Sequence, residues 1–360
     1  MRIRNKETHN SNFVGAGICM RTNNNCCNLL SRRVLSVFAL GILLVFRHMR
    51  NISLTTSYPA AGSKSTAAQD PLVQPSAFAN DDVLIDNHTF FDSRPMSFTH
   101  IPKASGTSFV KEMRSEIKRQ NQDCYNHLKR KEMMNAVFLR SPNPHVVSCF
   151  MECMHDPWGK RATSKTDFPR TGNDTADFAV WLEHFSSLND TMVGKTVDYN
   201  CIDPRNVMAR HLSCQKAPNP KANHALLPPP DLDEAIRNVK VGGGATFVGL
   251  TDFYHESMCI LEFRRNGSLP AACGCTEEHL AAKAATKRVH VTHGVPKEKP
   301  IISKASQALI DRYTDLDRPL FVVALRRFMD DIHVAETVAG RPFLCNKTKA
   351  TVLLEQYDYT

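Results

Sequence analysis

The pattern of apolar and polar positions alternates between short apolar runs and longer stretches with helical spacing. Three short runs predict strands: Met96–Thr99, Asn135–Leu139 and Ala245–Leu250. Strands that alternate with helices are typical of a parallel sheet covered by helices, with ligands bound beyond the carboxyl ends of the strands. The pattern therefore predicts an α/β fold, with a parallel β-sheet flanked by helices.

Apolar residues spaced three or four positions apart predict the helices. The first is expected from Gly106 to about Arg119, and another follows the Ser141-Pro142 turn. Further helical stretches are predicted at Phe178–Phe185, at Leu232–Val239 and, in two parts broken near Pro319, at Leu309–Ile332. The last stretch carries the stripe that is expected to face the core: Phe321, Val322, Leu325 and Phe328.

The first quarter of the chain lacks this alternation. Residues 1–33 are polar and basic, Val34–Phe46 is an uncharged apolar run, and residues 47–92 are rich in Ala, Ser, Thr and Pro. The run begins after more than thirty residues, and no clear Ala-x-Ala cleavage site follows it. This arrangement favours a cytoplasmic tail (1–33), a transmembrane anchor (34–46), a stem (47–92), a folded domain (93–346) and a C-terminal tail (347–360). A cleaved signal peptide or a transit peptide is the alternative.

Charge is distributed unevenly along the chain. The formal net charge is +9, but residues 1–50 hold eight Lys or Arg and one acidic residue, and so account for +7 of it. The remaining residues carry nearly balanced charge. No extended basic face is therefore expected, and nucleic acid is not a predicted partner.

Sequons and cysteines both point to an oxidising lumen. Six Asn-x-Ser/Thr sequons follow the apolar run: Asn51, Asn87, Asn173, Asn189, Asn266 and Asn346. Nine of the twelve cysteines also follow it, so at least one is expected to stay free. Cys201 with Cys214 is the predicted pair. Cys273-Gly274-Cys275 has no second cysteine pair at zinc-binding spacing, which does not favour a metal site.

The loop after the first predicted strand carries candidate anion-binding chemistry. After His100-Ile101-Pro102 come six residues that could contact an anion through side-chain donors or through the backbone: Lys103, Ala104, Ser105, Gly106, Thr107 and Ser108. A strand that turns sharply into a helix directs backbone N–H groups at one point, where an anion can bind. Lys103 precedes Gly106 here, whereas a nucleotide-triphosphate P-loop needs Lys directly after its last Gly. A Walker A motif is therefore excluded.

A second candidate follows the second predicted strand. Arg140 ends this strand, and Ser148 lies eight residues later in the helical stretch. The planar fork of an Arg side chain matches a phosphate, and a Ser hydroxyl adds one more donor.

Together these motifs resemble a known family. The order Pro-Lys-x-x-Gly-Thr after a strand is similar to the 5′-phosphosulfate loop of sulfotransferases. The preceding His-Ile-Pro resembles the membrane-bound carbohydrate sulfotransferases, the group that includes the heparan 2-O- and 6-O-sulfotransferases. Arg140 and Ser148 resemble the 3′-phosphate site of that family, with Ser141 in place of its usual Asp. Two further stretches are similar to family motifs: Val248-Gly249-Leu250-Thr251 and, loosely, the Asn206-Val207-Met208 helix start in a microbial-eukaryote branch.

The resemblance implies a chemistry and a location. The donor would be 3′-phosphoadenosine 5′-phosphosulfate, the acceptor a carbohydrate hydroxyl, and no metal would be needed. Lys103 would stabilise the leaving oxygen, and Arg288 and His293 would belong to a late loop that covers the donor. His127 is the predicted catalytic base, with His155 as the alternative. The protein would be a single-pass Golgi enzyme. An inactive glycan-binding protein and a sulfotransferase for a small alcohol remain alternatives.

Overall fold

The computed structural model describes residues 91–121, 128–188, 192–193, 198–214, 225–226, 228–285 and 294–358. The predicted tail, the apolar run and nearly all of the predicted stem lie outside these residues, as do His127, Arg288 and His293. Within the described ranges, no helix has the length and apolar character needed to cross a membrane.

A four-stranded parallel sheet forms the centre of the fold. Its strands are β1 (Met96–Thr99), β2 (Ile117–Asn121), β3 (Met134–Leu139) and β6 (Phe247–Leu250), in the spatial order β2-β1-β3-β6. Every residue of β1, β3 and β6 is buried, as expected for parallel strands covered on both faces. A separate antiparallel pair consists of β4 (Met192–Val193) and β5 (Ala225–Leu226). The predicted α/β class is confirmed.

Helices flank the sheet and form a second layer beyond it. They are α1 (Gly106–Glu112), α2 (Pro142–His155), α3 (Pro157–Thr163), α4 (Asp174–Ser186), α5 (Val207–Leu212), α6 (Leu232–Val239), α7 (Tyr254–Asn266), α8 (Glu277–Ala285), α9 (Lys304–Tyr313), α10 (Asp317–Ala339) and α11 (Lys347–Tyr357). A 3₁₀ turn, Thr251–Phe253, joins β6 to α7. The predicted helical stretches correspond to α4, α6, α9 and α10, so these predictions are confirmed.

The first helix is shorter than predicted. It ends at Glu112, and the residues expected to continue it to about Arg119 instead turn and form β2. Charged side chains at regular intervals suggested the solvent face of a helix, but β2 is an edge strand, where exposed charged residues are equally tolerated. An ion pair from Arg265 to Glu116, at 2.7 Å, joins this turn to α7.

Two apolar cores hold the layers together. The larger one surrounds the sheet and takes in the predicted stripe of α10, whose Phe321, Leu325 and Phe328 are buried. The smaller one lies between α2, α4 and α9, around Phe150 and Trp181. Residues along much of α2 belong to the smaller core, and this packing fixes the position of the helix that carries Ser148.

The disulfides differ from the predicted pair. The structure forms Cys153–Cys201, Cys259–Cys273 and Cys275–Cys345, and leaves Cys149 free and buried. The predicted Cys201–Cys214 pair is wrong because packing brings Cys201 against Cys153 near the end of α2, with which it bonds. Cys214 is disulfide-bonded too, and its sulfur lies 3.3 Å from the side-chain amide nitrogen of Asn238 on α6.

Both ends of the described chain pack on the domain. The backbone N–H of Asp92, at the end of the predicted stem, donates to the carbonyl of Arg264 at 2.9 Å. At the other end, α11 buries Ala350 and Tyr357 in the main core. Residues 347–360, predicted as a C-terminal tail, thus contain a packed helix.

Candidate functional site

A cavity of about 680 Å³ opens at the carboxyl ends of β1, β3 and β6. The loop after β1, the end of β3 and the turn after β6 all line it, because the carboxyl ends of parallel strands meet at one edge of a sheet, and α2 adds Ser148 and Glu152. Segments 201–202 and 295–299 complete its wall. The predicted phosphate-binding motifs therefore share one cavity.

The loop after β1 adopts an unusual backbone. Lys103 and Ser105 both have φ near 60°, in the left-handed region that non-glycine residues seldom adopt. Between them Ala104 is buried in the main core and fixes the loop to the domain. The Nε2–H of the buried His145 donates to the carbonyl of Pro102 at 2.7 Å. Burial, partly offset by that bond, lowers the pKa of His145 to about 3, so a neutral imidazole supports the loop.

Gly106 is required because a histidine ring lies against it. A β-carbon at Gly106 would come within 1.9 Å of Cδ2 of His100. The amide nitrogen of Gln120 donates to Nδ1 of His100 at 3.3 Å, so the ring proton is on Nε2. Burial, followed by the charges of His211 and Lys103, lowers the pKa of His100 to about 4. His100 is therefore a neutral donor at the cavity wall.

Lys103 is paired with a carboxylate inside the cavity. Its Nζ lies 2.5 Å from Oε2 of Glu152, which belongs to the last turn of α2. Both side chains are largely shielded from solvent and line the cavity. The site thus holds an ammonium group and a carboxylate in direct contact, next to three hydroxyl residues of the loop: Ser105, Thr107 and Ser108.

Arg140 lies where β3 ends and is joined to the first motif. Its Nη1 donates to the carbonyl of Lys103 at 3.2 Å, and the described residues give it no other hydrogen bond. Burial lowers the pKa of Arg140, opposed by the Asp252 carboxylate. That carboxylate instead accepts two hydrogen bonds from Ser141, at 2.7 and 2.8 Å, and so ties the ends of β3 and β6 together. Most guanidinium donors of Arg140 are left for a ligand.

Further polar groups face the same cavity. Lys297 and Lys299 line it, and burial followed by the charges of Arg140 and Lys103 lowers the pKa of Lys299. The hydroxyl of Thr251, after β6, is buried without a hydrogen-bond partner among the described residues. Four cationic side chains thus surround one carboxylate, which is a composition suited to a ligand with several negative charges.

Most of the predicted donor-binding residues that the structure describes come together here. Those lining the cavity are Lys103, Ser105, Gly106, Thr107, Ser108, Arg140 and Ser148. Ala104 contributes to the core instead. His155, the alternative base, is bound through Nε2 to Asp174 at 2.7 Å and is not part of the cavity wall.

Some cavity residues were not singled out from the sequence. They are His100, Glu152, Trp158, Thr251, Lys297 and Lys299. Glu152 follows Ser148 by one helical turn, so the helical spacing of α2 was a usable signal. For Lys297 and Lys299 no signal was present, since isolated lysines near the end of a loop are common.

The geometry defines an α/β protein with a cationic cavity at the carboxyl ends of its parallel strands. Comparison with known proteins adds no relative: no family model matches the chain, and neither does any curated protein or solved structure. The resemblance to carbohydrate sulfotransferases therefore stays a prediction.

Proposed function

We propose that this protein is a sulfotransferase, which moves a sulfuryl group from 3′-phosphoadenosine 5′-phosphosulfate to a carbohydrate hydroxyl. The observation that carries the proposal is that the loop after β1 and the end of β3, the two predicted phosphate-binding motifs, lie side by side. Lys103 and Arg140, 37 residues apart in sequence, are joined by a hydrogen bond and line one cavity. A donor with phosphates at two positions of one nucleoside requires two such anion sites side by side.

Charge supports this donor. It carries a phosphosulfate at the 5′ position and a phosphate at the 3′ position, and four cationic side chains line the cavity. In this proposal Lys103 and the loop hydroxyls bind the phosphosulfate, while Arg140 and Ser148 bind the 3′-phosphate. Lys299, whose pKa is lowered by burial and by the charges of Arg140 and Lys103, gains a counter-ion when the donor binds.

The transfer is an in-line displacement at sulfur. The acceptor oxygen forms a bond to sulfur, the bond from sulfur to the bridging phosphate oxygen breaks, and adenosine 3′,5′-bisphosphate leaves. Charge develops on the bridging oxygen, where the Lys103 ammonium stabilises it. The acceptor proton goes to a base, and Glu152, 2.5 Å from Lys103, is the candidate among the described residues. His127 remains the candidate suggested by the sequence.

A Golgi location is part of the proposal. The sequons Asn173, Asn266 and Asn346 are exposed in the structure and are sterically open to glycosylation. Three disulfides among the described cysteines are typical of an oxidising compartment. The carbohydrate acceptor and the N-terminal membrane anchor are proposed with it.

The test is nucleotide binding by the full chain, measured by calorimetry. Arg140→Lys replaces the planar guanidinium group by an ammonium group. This change should weaken the binding of adenosine 3′,5′-bisphosphate by about tenfold or more. Binding of adenosine 5′-phosphate should change little, because that nucleotide lacks the 3′-phosphate. Arg326→Lys, on the exposed part of α10, is the matched control. An equal loss for both nucleotides would show that Arg140 does not contact the 3′-phosphate.

A further inference from the structure

One wall of the cavity carries an exposed tryptophan that the donor-binding residues do not explain. Trp158 lines the cavity, yet its side chain is 47% exposed. Exposure alone carries no meaning, but aromatic side chains that line a cavity together with convergent polar groups are typical of ligand sites. The other tryptophan of the chain, Trp181, is fully buried.

Trp158 stands on a rigid support. It is the second residue of α3, and the side chain of Asp156 accepts a hydrogen bond from its backbone N–H at 2.6 Å. The next residue, Gly159, packs so closely on the end of α2 that a β-carbon would come within 2.1 Å of the carbonyl of Glu152. Arg170 secures the far end of α3 through a hydrogen bond to Thr163 at 2.7 Å. The backbone that carries the exposed ring is therefore fixed to the end of α2.

The support also locates Trp158 relative to the chemistry. Along α2, Ser148 comes first and Glu152 follows one turn later, beside Lys103. The helix then ends, and α3 is seated on the carbonyl of Glu152. The helix that carries Trp158 therefore begins where the helix that carries Ser148 and Glu152 ends, and all three residues line one cavity. In an in-line transfer the acceptor approaches sulfur from the side opposite the donor, so it needs a surface of this cavity other than the proposed phosphate sites.

Two apolar residues line the same cavity as Trp158. They are Ile202 and Val295, and both belong to or pack on the smaller core. The Cys153–Cys201 disulfide fixes the segment that carries Ile202 to the end of α2, and the side-chain amide of Asn200 donates to Ala162 of α3 at 2.9 Å. The cavity thus offers an aromatic face and two apolar side chains in addition to its four cationic groups.

We propose that Trp158 is the acceptor-binding platform, on which a pyranose ring of the acceptor stacks through its C–H face. Aromatic faces carry negative charge density, and the axial C–H groups of a sugar ring are weakly positive and apolar, so the two surfaces match. This inference rests on the proposed sulfotransferase function and assigns its acceptor class. A small acyclic alcohol would gain little from such a platform.

Fluorescence of the full chain tests the proposal, because Trp158 is the exposed one of only two tryptophans. The probes are oligosaccharides of heparosan, chondroitin, cellulose and mannan, each with adenosine 3′,5′-bisphosphate present. At least one should protect Trp158 from iodide quenching, and Trp158→Phe should remove the protected signal. Protection by none of the four would overturn the proposal, as would protection by adenosine 3′,5′-bisphosphate alone, since Trp158 would then stack on adenine.

Kinetics on the protecting probe separates this inference from the proposed function. Trp158→Ala should raise the acceptor KM by about tenfold, with Trp158→Phe in between, and leave the nucleotide Kd within about twofold. Val180→Ala, at an exposed site on α4, is the control. An unchanged KM, or a KM and nucleotide Kd that rise together, would refute the role of Trp158. The proposed function is tested separately, by the dependence of nucleotide binding on Arg140 and by transfer of a labelled sulfuryl group, neither of which requires Trp158.

Discussion

The contact between Lys103 and Glu152 leads to a prediction in which binding and turnover move in opposite directions. Glu152→Gln keeps the size of the side chain and removes its charge. If Glu152 takes the acceptor proton, turnover should fall by roughly a hundredfold or more. The same carboxylate, 2.5 Å from Lys103, repels any phosphate that binds there. Its removal should therefore tighten nucleotide binding.

The size of the binding gain follows from the geometry. A phosphate oxygen in contact with Nζ of Lys103 would lie about 5 Å from the carboxylate, and two unit charges at that distance repel by roughly 3 kcal/mol at an effective dielectric constant of 20. Solvent at the partly open cavity reduces this value. We therefore expect adenosine 3′,5′-bisphosphate to bind more tightly by between about threefold and a hundredfold.

Calorimetry and steady-state kinetics on the same protein sample measure both effects, with Glu355→Gln on the exposed side of α11 as the control. Wild-type turnover in Glu152→Gln would show that Glu152 is not the base. A parallel loss of turnover and affinity would reduce its role to holding Lys103. If turnover survives in Glu152→Gln and collapses in His127→Ala, then the base is His127, as the sequence suggests.

Two further predictions concern stability. Ser105 has φ near 60° and makes no capping hydrogen bond through its side chain, so Ser105→Gly should raise the free energy of unfolding by about 1 kcal/mol; an unchanged or lower denaturation midpoint would contradict the strain. Burial raises the pKa of Asp317 to about 7. Because the native state then holds a proton that the unfolded chain releases near pH 4, stability should fall as pH rises from about 4 to 7. Asp317→Asn should reduce this change of the free energy of unfolding with pH, as measured by denaturant titrations at several pH values. An unaltered pH dependence would show that other groups cause it.

The strands could be predicted because their signals are local. β1 and β3 are short apolar runs that are buried throughout, and such runs are typical of parallel strands. The first helix was predicted to be too long because charged side chains are common both on exposed helices and on edge strands. The cysteine pairing could not be predicted in the same way, since it depends on which distant segments pack together: Cys153 and Cys201 are 48 residues apart in sequence.

Only part of the candidate site could be predicted from the sequence. Lys103 and Arg140 follow strands directly, so their convergence at one sheet edge could be expected from the strand pattern. Glu152 follows Ser148 at helical spacing, which was a usable signal, but Trp158 reaches the cavity only through the close packing of α3 on the end of α2. Tertiary packing of this kind leaves no periodic signal in the sequence.

The most direct test of the central claim is transfer of a labelled sulfuryl group. The purified full chain is given 3′-phosphoadenosine 5′-phosphosulfate labelled at sulfur, together with the four oligosaccharide acceptors. The account predicts label in at least one acceptor, and a loss of roughly a hundredfold or more in Lys103→Ala, because the leaving oxygen loses its counter-charge. Full transfer by Lys103→Ala, or label in no acceptor although the nucleotide binds, would contradict it.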